Sequence, residues 1–155
     1  MSPTSYQTAP PRGGPDTLPG LPIGLHSGPM DDAAARALMR SWWDRVWGDG
    51  DLDALDDLLT DPYIRHASAG TETITPDRYK LKLVQYQRTL HKAVTTVDDE
   101  VVVGDKIWTR ATSRGLNLET GELAVFTWMT IHRREGGRLA EGWISAIPGV
   151  DWELT

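Results

Sequence analysis

The chain contains no cysteine, which excludes disulfides, thiolate metal ligands, iron–sulfur clusters and cysteine nucleophiles together. Phenylalanine occurs once, whereas tryptophan occurs seven times. Basic residues are in the minority: 16 Lys and Arg stand against 22 Asp and Glu, giving a net charge of −6, and no window gathers a phosphate-tracking stripe. Nucleic acid is therefore not an expected partner. No stretch of roughly eighteen apolar residues occurs, and no basic segment followed by an apolar core opens the chain. A membrane span is not expected, and the cytoplasm is the expected location. What is present is 155 residues, enough for one domain with one sizeable core. The tryptophans suit a place where a large apolar face must coexist with a single hydrogen-bond donor, as in a core or the wall of a pocket.

Residues 1–30 are crowded with Pro, Gly, Ser and Thr and lack apolar periodicity, so a flexible tail is expected there. A domain is expected over 31–148, with a short C-terminal tail over 149–155. Asp31 and Asp32 are candidate caps for a helix whose apolar positions, Ala35, Leu38, Met39, Trp42, Trp43 and Val46, follow helical spacing. Gly48-Asp49-Gly50 ends it. Asp51 caps a short second helix with Leu52, Leu55, Leu58 and Leu59 on one face, stopped at Asp61-Pro62. Thr75 as cap with Pro76 at the first helical position opens a third helix, striped by Tyr79, Leu83, Tyr86 and Leu90.

After His91 the period changes to that of strands. Four are predicted, over 94–103, 106–114, 122–134 and 138–146, with turns at Gly104-Asp105 and Glu135-Gly136-Gly137. Helices followed by an antiparallel meander define an α+β fold, in which a curved sheet closed by N-terminal helices forms a cone-shaped pocket.

No His-x-x-x-His or His-Glu-x-x-His spacing is present, and neither is a Walker loop, a Gly-x-Ser-x-Gly elbow or a dinucleotide-binding Gly-x-Gly-x-x-Gly. No metal and no nucleotide cofactor is expected.

The order of elements, together with Trp43-Asp44-Arg45-Val46-Trp47-Gly48-Asp49-Gly50-Asp51-Leu52, Tyr63 and His66, Gly104-Asp105-Lys106-Ile107 with Arg110, Arg114-Gly115, and Ile131-His132-Arg133 through Glu141-Gly142-Trp143, resembles the SnoaL-like polyketide cyclases of the nuclear-transport-factor-2-like superfamily. The resemblance implies the cone fold and an enzyme of secondary metabolism. Such an enzyme would work without a cofactor on a hydrophobic polyketide-like or terpenoid-like molecule, by cyclisation, isomerisation or dehydration. A non-catalytic binding or assembly module is the alternative, and an epoxide hydrolase-like activity is a further one. The family's usual acid is replaced by Thr130, three positions before Arg133, and Leu116 and Asn117 stand where a histidine often follows the Arg-Gly pair. That acid–base pair is not carried over.

The candidate site is then assembled from strand alternation and the resemblance. Glu141 is the expected general base, its pKa raised by an apolar setting beside Trp143. His66 is its proton-transfer partner and Arg110 steadies oxyanion charge. Trp47, Tyr63, Trp108, Arg114, Phe126, Trp128, Thr130 and Trp143 are the expected substrate-binding residues. His132 is expected to face solvent, because Arg133-Arg134 follow it. A twofold homodimer is expected from apolar side chains such as Val101 and Val103 on the outer sheet face.

Overall fold

The structure, a computed structural model, describes residues 29–154. Of the expected tail, residues 1–28 lie outside the described residues, and Pro29 and Met30 already belong to helix α1, Pro29–Ser41. α1 runs straight into a π-helical segment, Trp42–Asp49. Its wider turn draws Trp42, Trp43, Val46 and Trp47 toward one face, and all four are buried. Gly50 stops the segment at φ +70°, a left-handed conformation that glycine adopts without a clashing Cβ, and its N–H donates to the Arg45 carbonyl.

A single turn, Leu52–Ala54, and the short helix α2, Leu55–Leu58, follow. The second helix ends sooner than expected: Leu59 opens strand β1, Leu59–Ala67, which hairpins onto β2, Gly70–Ile74. Helix α3, Pro76–Thr89, begins as the sequence indicates, with the Thr75 hydroxyl accepting from the Arg78 N–H at 3.3 Å. Tyr79 and Leu83 are buried in its stripe, but Tyr86 is 41% exposed at the rim.

The meander follows as β3, His91–Val103, β4, Lys106–Leu116, β5, Leu123–Glu135, and β6, Arg138–Pro148. These join β1 and β2 in one six-stranded sheet of order β2-β1-β6-β5-β4-β3. One pair corrects the all-antiparallel expectation: β1 lies parallel to β6, because α3 and three strands of meander separate them along the chain. The expected C-terminal tail instead folds back as a turn, Trp152–Leu154, and Asp151 takes a bidentate grip from Arg114, both contacts at 2.9 Å.

Directly opposed residues in a ladder share a face, so the register fixes what points where. His132 pairs with Ile107 and Gly142, Thr130 with Thr109 and Ile144, and Trp128 with Ala111 and Ala146; these face the helices. Trp108, Arg110, Met129, Ile131, Glu141 and Trp143 face the other way. One core cluster between helices and inner sheet face gathers Met39, Val46, Leu55, Leu83, Ile107 and Leu139, all fully buried. Among the described residues, no helix is long and apolar enough to cross a membrane.

Candidate functional site

A cavity of about 330 Å³ lies between the helices and the inner face of the sheet. Buried Trp42, Trp43, Trp47 and Tyr79 form its roof, while Phe126, Trp128, Thr130 and His132 of β5 form its floor. Exposed Ser68, Tyr86, Ser145 and Ala146 mark the open end. The roof depends on the π-helical segment, whose aromatic side chains sit on the β5 floor: Trp47 and Trp43 meet Trp128 with ring centres 5.2 and 5.8 Å apart. The Trp128 indole N–H is satisfied by the Ser113 hydroxyl at 2.8 Å, which fixes the ring and leaves its face to the cavity.

Four of the sequence candidates lie in this wall: Trp47, Phe126, Trp128 and Thr130. Tyr63 sits behind it, fully buried and stacked on Tyr79 at 5.8 Å and 14°. Its hydroxyl rests where Gly142 lacks a Cβ, next to the His132 ring; any larger residue at 142 would collide with it.

The remaining candidates, Glu141, His66, Arg110, Trp108, Arg114 and Trp143, do not reach the cavity. All six belong to the outer face. The reason is register: Ile144, not Trp143, opposes Thr130, and Thr109, not Arg110, does so on the other side. Glu141 accepts from the His66 Nε2 at 2.8 Å and the Arg133 Nε at 3.0 Å. These bonds hold its carboxyl below the usual carboxylate range, His66 contributing most, so the expected upward shift is reversed. His66 also stacks on Trp143 at 4.9 Å and 7°. Arg110 lies 3.4 Å from Asp98, and Arg114 is tied to Asp151 and Glu153.

Besides further aromatic and apolar lining, two basic residues not expected at the site are there. His132 is completely buried, and burial pulls its pKa down to about 4. It is therefore a neutral imidazole at pH 7, and neither ring nitrogen has a hydrogen-bond partner. The Thr130 hydroxyl, the Thr109 hydroxyl and the Tyr63 hydroxyl are buried without partners as well. Native interiors rarely leave so many polar groups unpaired, and two of these, His132 and Thr130, line the cavity, where the polar atoms of a ligand could meet them. Arg65, also absent from the expected set, points inward from β1 between Tyr63 and Ala67. The alternation that puts Tyr63 inside signals Arg65 too. Among the described residues, no group of three or more His, Asp or Glu is arranged to hold a metal ion.

The family model for the SnoaL-like domain matches residues 39–142. The span takes in the aromatic roof, all of β1 to β5 and the start of β6, so this chain belongs to the SnoaL-like domain family. Among solved structures it is similar to a proposed polyketide cyclase from Acidithiobacillus ferrooxidans, at 16% identity and a TM-score of 0.68, covering 73% of this chain and 87% of that one. TsrD from Streptomyces laurentii matches at 25% identity and TM-score 0.61, covering 74% and 88%. An NTF2-like protein from Anabaena variabilis matches at 13% identity and TM-score 0.62, covering 77% and 89%. No curated protein matches the sequence.

Proposed function

We propose that this protein is a cofactor-independent enzyme that encloses an apolar small molecule and transforms it by proton transfer, as in cyclisation, isomerisation or dehydration of a polyketide-like or terpenoid-like substrate. The observation that carries this reading is His132: a neutral, unpartnered imidazole in the wall of an aromatic cavity. An imidazole held unprotonated at neutral pH has a free nitrogen to accept a proton. Its cation is poorly solvated there, so proton abstraction becomes favourable only as negative charge develops beside it, on an enolate oxygen for example. The Thr130 hydroxyl, in the cavity wall, is the group at hand to donate to that oxygen. The aromatic walls hold the reacting atoms in place and keep water out.

Mass-detected conversion of apolar β-dicarbonyl compounds tests the reading. His132→Gln is expected to lower turnover by about 10²–10⁴-fold with the fold intact; unchanged turnover would remove His132 from the chemistry. A second reading, a binding module without catalysis, is favoured by the lack of any carboxylate among the described residues lining the cavity. Under it, ligands quench tryptophan emission and emerge unaltered.

The outer face supports a further proposal, a twofold homodimer. Val101, Trp108 and Met129 are 49%, 49% and 52% exposed there, with Ile131 and Trp143 between them. Arg110 and Asp99, directly opposed across β4 and β3, lie beside these apolar side chains. Sedimentation should show a dimer at micromolar concentration that Trp108→Glu combined with Met129→Glu converts to monomer. A wild-type monomer would overturn it.

A further inference from the structure

The proposed enzyme handles an apolar molecule, but one wall of its cavity is not apolar. Arg65 is the only charged side chain among the described lining residues, and the residue is 9% exposed. Its guanidinium carbon lies 5.6 Å from the Tyr79 ring centre and 5.8 Å from that of Tyr86, so two aromatic faces hold it. A buried cation requires a counter-charge. Glu72 supplies part of one, accepting from the Arg65 Nη1 at 3.0 Å.

That carboxylate is shared. The Lys82 ammonium also donates to Glu72, to both oxygens, at 2.9 and 2.7 Å. Two cations therefore stand against one anion, and the local balance is one positive charge. The Arg65 Nε is meanwhile buried without an acceptor of its own, and the Tyr79 hydroxyl, which also meets the guanidinium, is neutral and leaves the charge uncompensated. The excess charge and the open donor belong to the same group, and it faces the cavity.

Register adds the direction. Arg65 pairs with Gly142 across β1 and β6, and Gly142 pairs with His132 across β6 and β5. The three form one row on the inner face, and two strand spacings of about 4.8 Å place Arg65 and His132 roughly 10 Å apart along it. Gly142, in the middle, has no side chain, but the Tyr63 hydroxyl occupies that place, so a ligand spanning Arg65 and His132 lies above it, in the cavity that both residues line.

We infer that the cavity selects an apolar molecule bearing one carboxylate, which docks on Arg65 and lays the apolar body through the cavity toward His132. The inference rests on the cavity being the ligand site. A bound carboxylate supplies the missing negative charge, meets the open Nε donor and exchanges its hydration for a charge-assisted hydrogen bond. Tyr86, half out of the cavity mouth, lets such a ligand enter with its apolar end leading.

The test compares 2-naphthoate with methyl 2-naphthoate, which share a body and differ in charge, by quenching of tryptophan emission at pH 7.5. The carboxylate is expected to bind at least about tenfold more tightly than the ester. Arg65→Met should abolish that preference while keeping the ester's affinity; Glu72 retains Lys82, so no carboxylate is orphaned by the change. Glu72→Gln, which removes the existing counter-charge, should strengthen naphthoate binding and leave the ester unchanged. This second variant keeps the inference open to refutation should Arg65→Met fail to fold. Equal binding of acid and ester by the wild type, a preference that survives Arg65→Met, or indifference to Glu72→Gln overturns the inference. If the two probes bind equally, the apolar cavity stands without its anion handle. If neither binds, the reading of the cavity as a ligand site falls as well.

Discussion

Between pH 6.5 and pH 4 this protein should lose about 3 kcal/mol of stability through His132 alone, because burial lowers its pKa from 6.5 to about 4. In that interval the unfolded chain binds a proton that the folded one refuses. Stability therefore rises with pH across the window, is complete above the unfolded value of 6.5, and is lost as the pH falls toward 4. Three carboxylates titrate below or alongside this change. Glu72 and Glu141 are held below the usual range by the hydrogen bonds they accept, from Lys82 and Arg65 and from His66 and Arg133 respectively, so their contributions are lost at still lower pH. Glu100 is shifted up by burial and works the other way: it opposes folding when charged and ceases to do so on protonation. Urea unfolding at pH 7 and pH 4.5 checks the prediction. The wild type should show the acid-side loss, and His132→Leu, an apolar residue of similar bulk, should flatten it. Equal slopes for the two proteins would mean that His132 is hydrated or paired in solution.

Trp128→Ala should be among the most damaging single substitutions, costing about 3–5 kcal/mol. The ring is 7% exposed, lies within 5.2 Å of Trp47 and 5.8 Å of both Trp43 and Phe126, and hydrogen-bonds to Ser113. Removing it takes the floor from under the π-helical segment and enlarges a space that the neighbouring strands cannot collapse to fill. Ser113 would keep one partner, the Thr95 hydroxyl at 2.7 Å, so most of the loss is packing and little of it hydrogen bonding. Trp128→Phe should recover more than half. Denaturant midpoints at constant m-value measure this. A loss under about 1 kcal/mol for the alanine variant would mean that roof and floor are not in the contact described here.

The parts of the fold that were legible in the sequence are those set by local chemistry. Thr75-Pro76 announces α3 because a capping hydroxyl and a preset φ act within one turn. The glycine-containing turns mark the meander for the same reason, and the family resemblance supplied the cone. The β1–β2 hairpin escaped because Ala67 to Ile74 is polar and short, and the β1–β6 pairing escaped because it joins segments some 75 residues apart, as His66 and Glu141 are. The site was half legible. Alternation says which residues of a strand share a face, and Thr130 was placed inside. Carrying that phase to β4 and β6 required the register, and a shift of one residue sends Arg110, Glu141 and Trp143 to the opposite face. His132 misled because two arginines follow it. Yet a register shift separates Arg133 from Arg134, Arg134 is anchored to the start of α1 through Asp31 at 3.0 Å, and Trp42, its ring centre 6.1 Å from that of His132, packs against the imidazole where the charges implied solvent. Arg65 shows the converse: a charged residue in an inward row looks like an error in the alternation until two tyrosines and a shared carboxylate are seen around it.

The central claim is that ligand enters between the aromatic roof and β5, and that the ionised cluster on the outer face takes no part. Saturable quenching of tryptophan emission by naphthalene tests it most directly, in the wild type, in Thr130→Phe, whose ring would fill the cavity, and in Glu141→Gln, with folding of each confirmed by circular dichroism. The account predicts quenching in the wild type and in Glu141→Gln with the same affinity, and its loss in Thr130→Phe. Quenching that survives Thr130→Phe, or disappears with Glu141→Gln, would contradict it.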